Sequence, residues 1–243
     1  MKTAIIYLCY NHEPFKYLER MIEGIKKQDD QNNLELVIVY NPGITDANKT
    51  IRFIEEKIKI NKDYVCNIIF LPQKKNLGYV GGNNIGIKWA IDNNFDYVFL
   101  HNADGFLDED AIKIIIDSIE DEDEVGVAQP LVMMWPDKHL VNTIGNRFHF
   151  LGFGHCGGYK LPFDNSPVIF NNQEIGFASG AALFMRVDLL RKYGGLDKDY
   201  FIYGEDLEYS LRLRSLGYKI ISVTQSVFYH EYKFSKNPEK YYL

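Results

Sequence analysis

The chain has 243 residues, 46% of them hydrophobic and 25% charged, with a formal net charge of −6. That length and mix argue against disorder in the bulk of the chain and suit one large α/β domain or a compact domain with an appendage, and the acidic balance argues against a dedicated nucleic-acid binder, whose footprint is basic. Three widely separated cysteines, Cys9, Cys66 and Cys156, exclude a disulfide framework or a zinc cluster and read as reduced thiols.

In chain order, Ala4 to Cys9 is a short apolar run that predicts a buried strand. Pro14 suits a helix first turn, and Phe15, Leu18, Ile22 and Ile25 then recur at helical spacing. Leu34 to Val39 predicts a second strand, closed by the turn residues Asn41-Pro42-Gly43. Ile51, Ile54 and Ile58 mark a helix, Val65 to Leu71 a third strand, Gly82 to Ile91 a helix and Tyr97 to Leu100 a fourth strand. Asp108 to Ile119 reads as an amphipathic helix with acids in its first turn, where they suit the helix dipole. Strands alternating with helices imply a mostly parallel sheet covered on both faces. Ligands in such sheets sit beyond the carboxyl ends of the strands, which singles out residues 9–13, 40–46 and 101–105.

The second half has a different texture. Val125 to Val132 predicts a strand, and residues 133–167 are rich in Gly, Pro, Asn and aromatics with little periodicity, the mark of a long functional loop or an irregular hairpin. Val187 to Tyr193 and Leu207 to Leu216 predict helices, Lys219 to Val223 a strand, and the stretch from Lys233 a polar tail. No apolar run approaches the ~20 residues of a membrane-spanning helix. The expectation is a soluble, cytoplasmic protein with at most a peripheral contact at the inner face of a membrane.

Three segments carry chemistry. His101-Asn102-Ala103-Asp104 follows the fourth strand, and two oxygen ligands at this spacing can hold a divalent cation while leaving room for phosphate oxygens; the same residues can equally shape a turn or cap a helix. Asn76-Leu77-Gly78-Tyr79-Val80-Gly81-Gly82-Asn83-Asn84-Ile85-Gly86 opens a helix, where glycines let backbone approach a ligand and the helix end attracts negative charge. It is neither a Walker A sequence nor G-x-G-x-x-G, and tight helix–sheet packing is the alternative. The aromatic turn from Gly194 to Gly204 ends in Glu205-Asp206 at a helix start, a placement for a carboxylate general base or for a helix cap.

Taken together, these segments resemble the inverting family 2 glycosyltransferases of the GT-A fold, in particular their bacterial rhamnosyltransferase-like branch. The resemblance rests on Cys9-Tyr10-Asn11, on Asn76 to Gly86, and on Asn102-Ala103-Asp104 in the place of an Asp-x-Asp motif. It continues through Ser179-Gly180-Ala181, Gly194-Gly195-Leu196-Asp197, Glu205-Asp206, Arg212, Gly217-Tyr218 and a late His230 with Ser235. It implies one GT-A domain over residues 1–243, with a Rossmann-like nucleotide-sugar-binding half (1–105) and an acceptor-binding, catalytic half (106–243). The implied activity is transfer of rhamnose or another hexose, with inversion, from a dTDP-, UDP- or GDP-sugar to a carbohydrate or lipid-linked oligosaccharide acceptor, in bacterial surface polysaccharide synthesis. By the same resemblance Asp206 is the base and Glu205 its neighbour. Asp104, Asn102 and His230 would hold Mn2+ or Mg2+. Tyr10, Asn11, Asn41, Asn76, Gly78, Gly81, Gly82, Asn83, Asn102 and Asp104 would line the donor.

Two departures bear on this. Asn102 is a neutral ligand where the family has an acid, which lowers the expected metal affinity, and Tyr40-Asn41-Pro42 stands where the family carries Asp for the base, with Asp46 the nearest acid. The alternatives are a sugar nucleotidyltransferase, disfavoured because residues 9–15 lack the glycines of its phosphate loop, and a non-catalytic glycosyltransferase-like protein.

Overall fold

The computed structural model describes residues 1–10, 15–29, 31–43, 47–61, 66–163 and 171–232. Its spine is a mixed sheet in which β1 (Thr3–Tyr10), β2 (Leu34–Asn41), β3 (Asn67–Pro72) and β4 (Tyr97–His101) run parallel in the order β3-β2-β1-β4. Beyond β4 the sheet continues through antiparallel β11 (Ala182–Arg186) to β6 (Val125–Met134) and β12 (Lys219–His230), which again run parallel to each other, and ends on the two-residue β10 (Gln173–Glu174).

The apolar run of β1 has no polar alternation because both its faces are covered. Ile5, Tyr7 and Cys9 pack on one side with Leu18, Met21 and Ile25 of α1 (Phe15–Lys26), Ile54 of α2 (Ala47–Asn61) and Ile112, Ile115 and Ile119 of α4 (Ala111–Ile119). Ala4 and Ile6, turned the other way by the period of two, pack with Val80, Ile87 and Ala90 of α3 (Gly78–Asp92), Leu189 and Leu190 of α5 (Val187–Tyr193) and Tyr209 and Leu213 of α6 (Glu205–Ser215). Two apolar layers thus clamp the sheet, in the α/β architecture expected.

Several boundaries differ from the sequence expectation. Helix α3 begins at Gly78 instead of Gly82, and α4 begins at Ala111, so Asp108, Glu109 and Asp110 precede it and no acid lies in its first turn. Asp110 adopts a left-handed conformation, φ 53°, which closes the preceding turn instead of extending the helix. Strand β12 runs seven residues past Val223, carried by pairing with β6 and with a short strand β5 (Gly105–Leu107). The irregular stretch after Val132 resolves into β7 (Val141–Thr143), paired with β6, and a hairpin of β8 (Asn146–Phe148) and β9 (Gly154–Cys156). Pairing across long sequence separations, invisible to local periodicity, builds these elements.

Candidate active site

Topology brings the chemistry-bearing segments to one edge. The carboxyl ends of β1, β2 and β4 share that edge because the strands are parallel, and β12 ends there too, being parallel to β6, which opposes the same β11 that opposes β4. The start of antiparallel β11 meets them, with Ala182 in register with His101. A cavity of about 1010 Å³ opens there. Tyr10, Asn41, Asn76, Gly78, Asn102, Asp104, Glu205, Asp206 and His230, all singled out from sequence, line it.

At one end, the His230 ring is held between two oxygens. Its Nε2 lies 2.9 Å from Asp104 Oδ1 and its Nδ1 lies 3.1 Å from Asn142 Oδ1, with the Asn102 amide nitrogen 3.4 Å from Nε2. Both flanking oxygens are acceptors, while a neutral imidazole carries one proton. In the tautomer with its proton on Nδ1 the ring donates to Asn142 and presents an Nε2 lone pair beside Asp104; in the other, Nε2–H donates to Asp104. His230 and Asn142 are both buried, so this orientation is fixed by packing. The turn carrying Asp104 is pinned by its backbone: Asn102 N–H donates to Ala181 O at 3.0 Å, Gly105 N–H to Asn102 O at 3.2 Å and Glu231 N–H to Asp104 O at 2.8 Å. His101 stands behind it, fully enclosed. Burial pushes its pKa down to about 4, so it is neutral, with Nδ1 bonded to Asn102 O. Glu231 takes Lys16 at 3.0 Å and Arg20 at 2.9 Å, so its charge is neutralised at the same rim.

At the other end stand two carboxylates at the start of α6. Asp206 Oδ2 accepts the Gly180 N–H at 2.9 Å and Oδ1 accepts the Leu207 N–H at 2.8 Å. Burial outweighs these bonds and raises its pKa. Glu205 is pushed to about 7, first by burial and then by the charge of Asp206, and its Oε2 has no hydrogen-bond partner among the described residues. The turn 179–181 facing them is fastened from the opposite side, where Tyr79 OH donates to Gly180 O at 2.5 Å. Gly180 has little room for a side chain, since a Cβ there would lie 3.2 Å from the Tyr79 oxygen and 3.4 Å from Glu205 Oε1. One backbone turn therefore links the Asp104 end, through Ala181, to the Asp206 end, through Gly180.

The segment from Asn76 to Gly86 does something other than expected with its backbone. The first amides of α3, those of Tyr79 and Val80, donate to Phe201 O at 2.9 and 3.3 Å. Gly78 sits at φ +71°, and a Cβ there would come within 2.6 Å of Phe201. The glycine thus lets the aromatic turn 200–203 close onto the helix end. Asn41, buried, donates to Gly78 O at 2.8 Å, and Asn76 Oδ1 accepts the Gly78 N–H at 2.9 Å. Gly81, Gly82 and Asn83 do not line the cavity. The space at Gly82 is taken by Leu8, 2.3 Å from where a Cβ would stand, and Asn83 bonds back to Tyr79 O. Asn11 and Ser235, and with them part of the expected donor and late motifs, lie outside the described residues.

Sequence reasoning missed Asn142, whose partner lies 88 positions later on another strand, and Glu231, whose partners lie 215 and 211 positions earlier. Neither has a local signal. From the irregular stretch, Gly152 to Cys156 line the cavity with Phe153 among them, whereas Trp135 packs instead against Phe106 and Tyr229.

Comparison with known proteins agrees with this architecture. A model of the family described as "Glycosyltransferase like family 2" matches residues 2–242. No curated protein matches. Among solved structures, GalNAc-T7 with UDP, GalNAc and Mn2+ superposes with a TM-score of 0.75 at 13% identity, over 96% of this chain and 44% of that one. The mannosyltransferase PcManGT from Pyrobaculum calidifontis, with GDP-Man and Mn2+, gives 0.65 at 13% identity, over 97% and 58%. S. aureus TarS 1-349 with UDP-GlcNAc gives 0.64 at 18% identity, over 100% and 62%. The chain therefore spans about half the length of these proteins, and at such identities the likeness is one of fold. The sheet, its two helical layers and the family match over nearly every residue agree: the chain has the GT-A fold and belongs to the glycosyltransferase-like family 2.

Proposed function

We propose that this protein is an inverting, divalent-cation-assisted glycosyltransferase using a nucleotide-sugar donor. The observation that carries the reading is a single cavity with Asp104 and His230 at one end and Glu205 with Asp206 at the other, the two ends joined through the 179–181 turn. The residues at the first end fit a cation. The lone pair at His230 Nε2 and Asp104 Oδ1 are 2.9 Å apart, close to the roughly 3 Å edge between adjacent ligands of an octahedral ion. Among the described residues no three His, Cys, Asp or Glu side chains gather to hold an ion alone, so a donor diphosphate completes the set. Mn2+ suits the imidazole better than Mg2+ does. A bound cation there would neutralise charge growing on the departing diphosphate.

The rest falls to the chain itself. Asp206 accepts the proton of the acceptor hydroxyl as that oxygen bonds to the anomeric carbon. The bond from that carbon to the diphosphate breaks, and its electron pair leaves with the nucleotide. A single displacement inverts the configuration. Gly180 N–H and Leu207 N–H hold the Asp206 carboxylate in place. Glu205, with its proton held to about pH 7, lets the neighbouring position carry one negative charge instead of two. Asn41, Asn76 and Gly78 shape the nucleotide side, and Phe153, Phe201 and Tyr203 give the acceptor side aromatic faces on which sugars stack. Rhamnose from dTDP-rhamnose is the leading donor and a lipid-linked oligosaccharide of a surface polysaccharide the leading acceptor, both on the resemblance of the motifs alone.

A screen of dTDP-, UDP- and GDP-sugars with Mn2+ or Mg2+, read by release of the nucleotide, tests this. Turnover of one donor is expected, lost in EDTA and restored by Mn2+. Neither turnover nor binding of any of them by the folded protein, or full activity in EDTA, would overturn it.

A further inference from the structure

The cavity accounts for only one part of the β8–β9 hairpin. Gly152 to Cys156 line it, but Phe150 and Leu151, at the tip, do not. They belong to no core cluster and are 86% and 63% exposed. The tip is nonetheless built. His149 N–H donates to Phe153 O and Gly152 N–H to His149 O, both at 2.8 Å, while β8 and β9 pair from Asn146–Cys156 to Phe148–Gly154. Its base is tied to the body by backbone bonds between Asn146 and Phe177. An ordered turn that holds two large apolar side chains in water marks a contact surface. Across the same cavity mouth, Phe201 and Ile202 are also exposed.

Charge identifies what covers the tip. The hairpin itself, residues 146–156, carries Arg147, His149 and His155 and no Asp or Glu, in a chain that has 33 acids and a net charge of −6. Arg147 and His149 are exposed on the hairpin itself. On the opposite rim the exposed Lys198 is offset by its exposed neighbour Asp199, so the uncompensated positive charge lies on the hairpin side. A stable protein partner needs about 800 Å² per side, and two side chains on a protruding turn supply little of that. A bilayer needs no matched footprint and accepts aromatic side chains at headgroup level beside basic ones.

We propose that the β8–β9 tip docks on an anionic lipid bilayer, Phe150 and Leu151 entering the headgroup region and Arg147 meeting the phosphates, which sets the cavity mouth at the membrane surface. The proposal stands apart from the transferase reading, because lipid binding is measured without turnover.

The test is cosedimentation of the full chain with vesicles of phosphatidylcholine alone or mixed equally with phosphatidylglycerol. Binding to the mixed vesicles is expected, with little to phosphatidylcholine alone. The double substitution Phe150→Ser and Leu151→Ser should weaken binding by about tenfold or more, and Arg147→Glu by several-fold, without shifting the melting temperature, since all three side chains are exposed. Phe150→Trp should be quenched by brominated lipid, an outcome that a merely electrostatic contact would not give. Absence of binding to the mixed vesicles, or equal binding by the folded double variant, would overturn the proposal. So would a dimer that forms with rising concentration and disappears in the double variant, because it would make the tip a protein interface.

Discussion

The two ends of the cavity solve opposite electrostatic problems. At the Asp104 end the side chains that line the cavity are paired: His230 lies between Asp104 and Asn142, and Glu231 is neutralised by Lys16 and Arg20, while His101 Nε2 behind them is buried without a partner among the described residues. At the Glu205–Asp206 end two carboxylates are crowded together, and among the described residues no cation pairs with either and one oxygen of Glu205 has no partner. On the proposed function, the first end is where a cation would arrive. The second holds negative charge out of water, which raises its affinity for a proton. A transfer reaction needs both, a place for the leaving group's charge and a place for the acceptor's proton, and the contrast suggests substitutions that separate them.

The largest effect is expected at the second end. Asp206→Asn keeps the side chain's size and one of the two backbone N–H contacts, that of Gly180 or Leu207, on its single oxygen, but removes the proton acceptor. Transfer should fall on the order of 10²–10⁴-fold, while calorimetry shows nucleotide affinity little changed. Normal transfer by Asp206→Asn, together with loss in Glu205→Gln, would exchange the two roles.

The stored charge should also appear in stability. Glu205 has a folded-state pKa of about 7 against an ordinary value of 4.5. Between those values the folded chain keeps a proton that the unfolded chain releases, so stability falls as pH rises. The penalty is absent below the unfolded value and complete above the folded one. It amounts to roughly 3 kcal/mol. Melting curves from pH 4.5 to 8 should show this loss in the wild type and a much flatter profile in Glu205→Gln. Parallel profiles would mean that Glu205 is ionised and solvated at neutral pH.

At the first end, the proposal has Asn142 acting through His230, whose Nδ1 lies 3.1 Å from its oxygen. Asn142→Ala removes the oxygen that holds the Nδ1 proton and should weaken Mn2+ binding in the presence of a nucleoside diphosphate by about 10–100-fold. Nitrogen chemical shifts of His230 should move toward the other tautomer. Asp104→Ala should abolish the coupled Mn2+ binding. A purely structural Asn142 would lower the melting temperature and leave the tautomer and the metal preference untouched.

Much of the fold could be read from the chain because its parallel strands are continuous apolar runs separated by helical spacing, as in Ala4 to Cys9 and Leu34 to Val39. That Asp104, Glu205, Asp206 and His230 belong together is implied by the resemblance of their motifs to a family, and all four line one cavity. What local pattern did not disclose came from distant pairing. The extension of β12 to His230 depends on β6 and β5, and Asn142 gains its meaning only when β7 lies beside them. The Gly78 segment leaves two readings open for a related reason. A glycine at a helix start looks the same whether it admits a phosphate or, as the contacts here show, the carbonyl and ring of Phe201.

The smallest effect, and the sharpest probe of the contrast, is Asn102→Asp. The backbone of residue 102 is fixed by Ala181 O and by its own carbonyl's bonds to Gly105 N–H and His101 Nδ1, so the turn does not depend on the side chain. The side-chain amide points its nitrogen at His230 Nε2 from 3.4 Å, a weak contact. A carboxylate there adds a charged oxygen beside Asp104, and without a cation the two acids repel. Free protein should therefore lose slight stability, while Mn2+ with nucleoside diphosphate should bind several-fold to about tenfold more tightly, hard oxygen charge being what the site lacks. Calorimetric titration of Mn2+ with and without the diphosphate reads both arms. If Asn102→Asp leaves the coupled affinity unchanged while Asp104→Ala abolishes it, residue 102 stands outside the coordination set, and the ion rests on Asp104, His230 and the diphosphate alone.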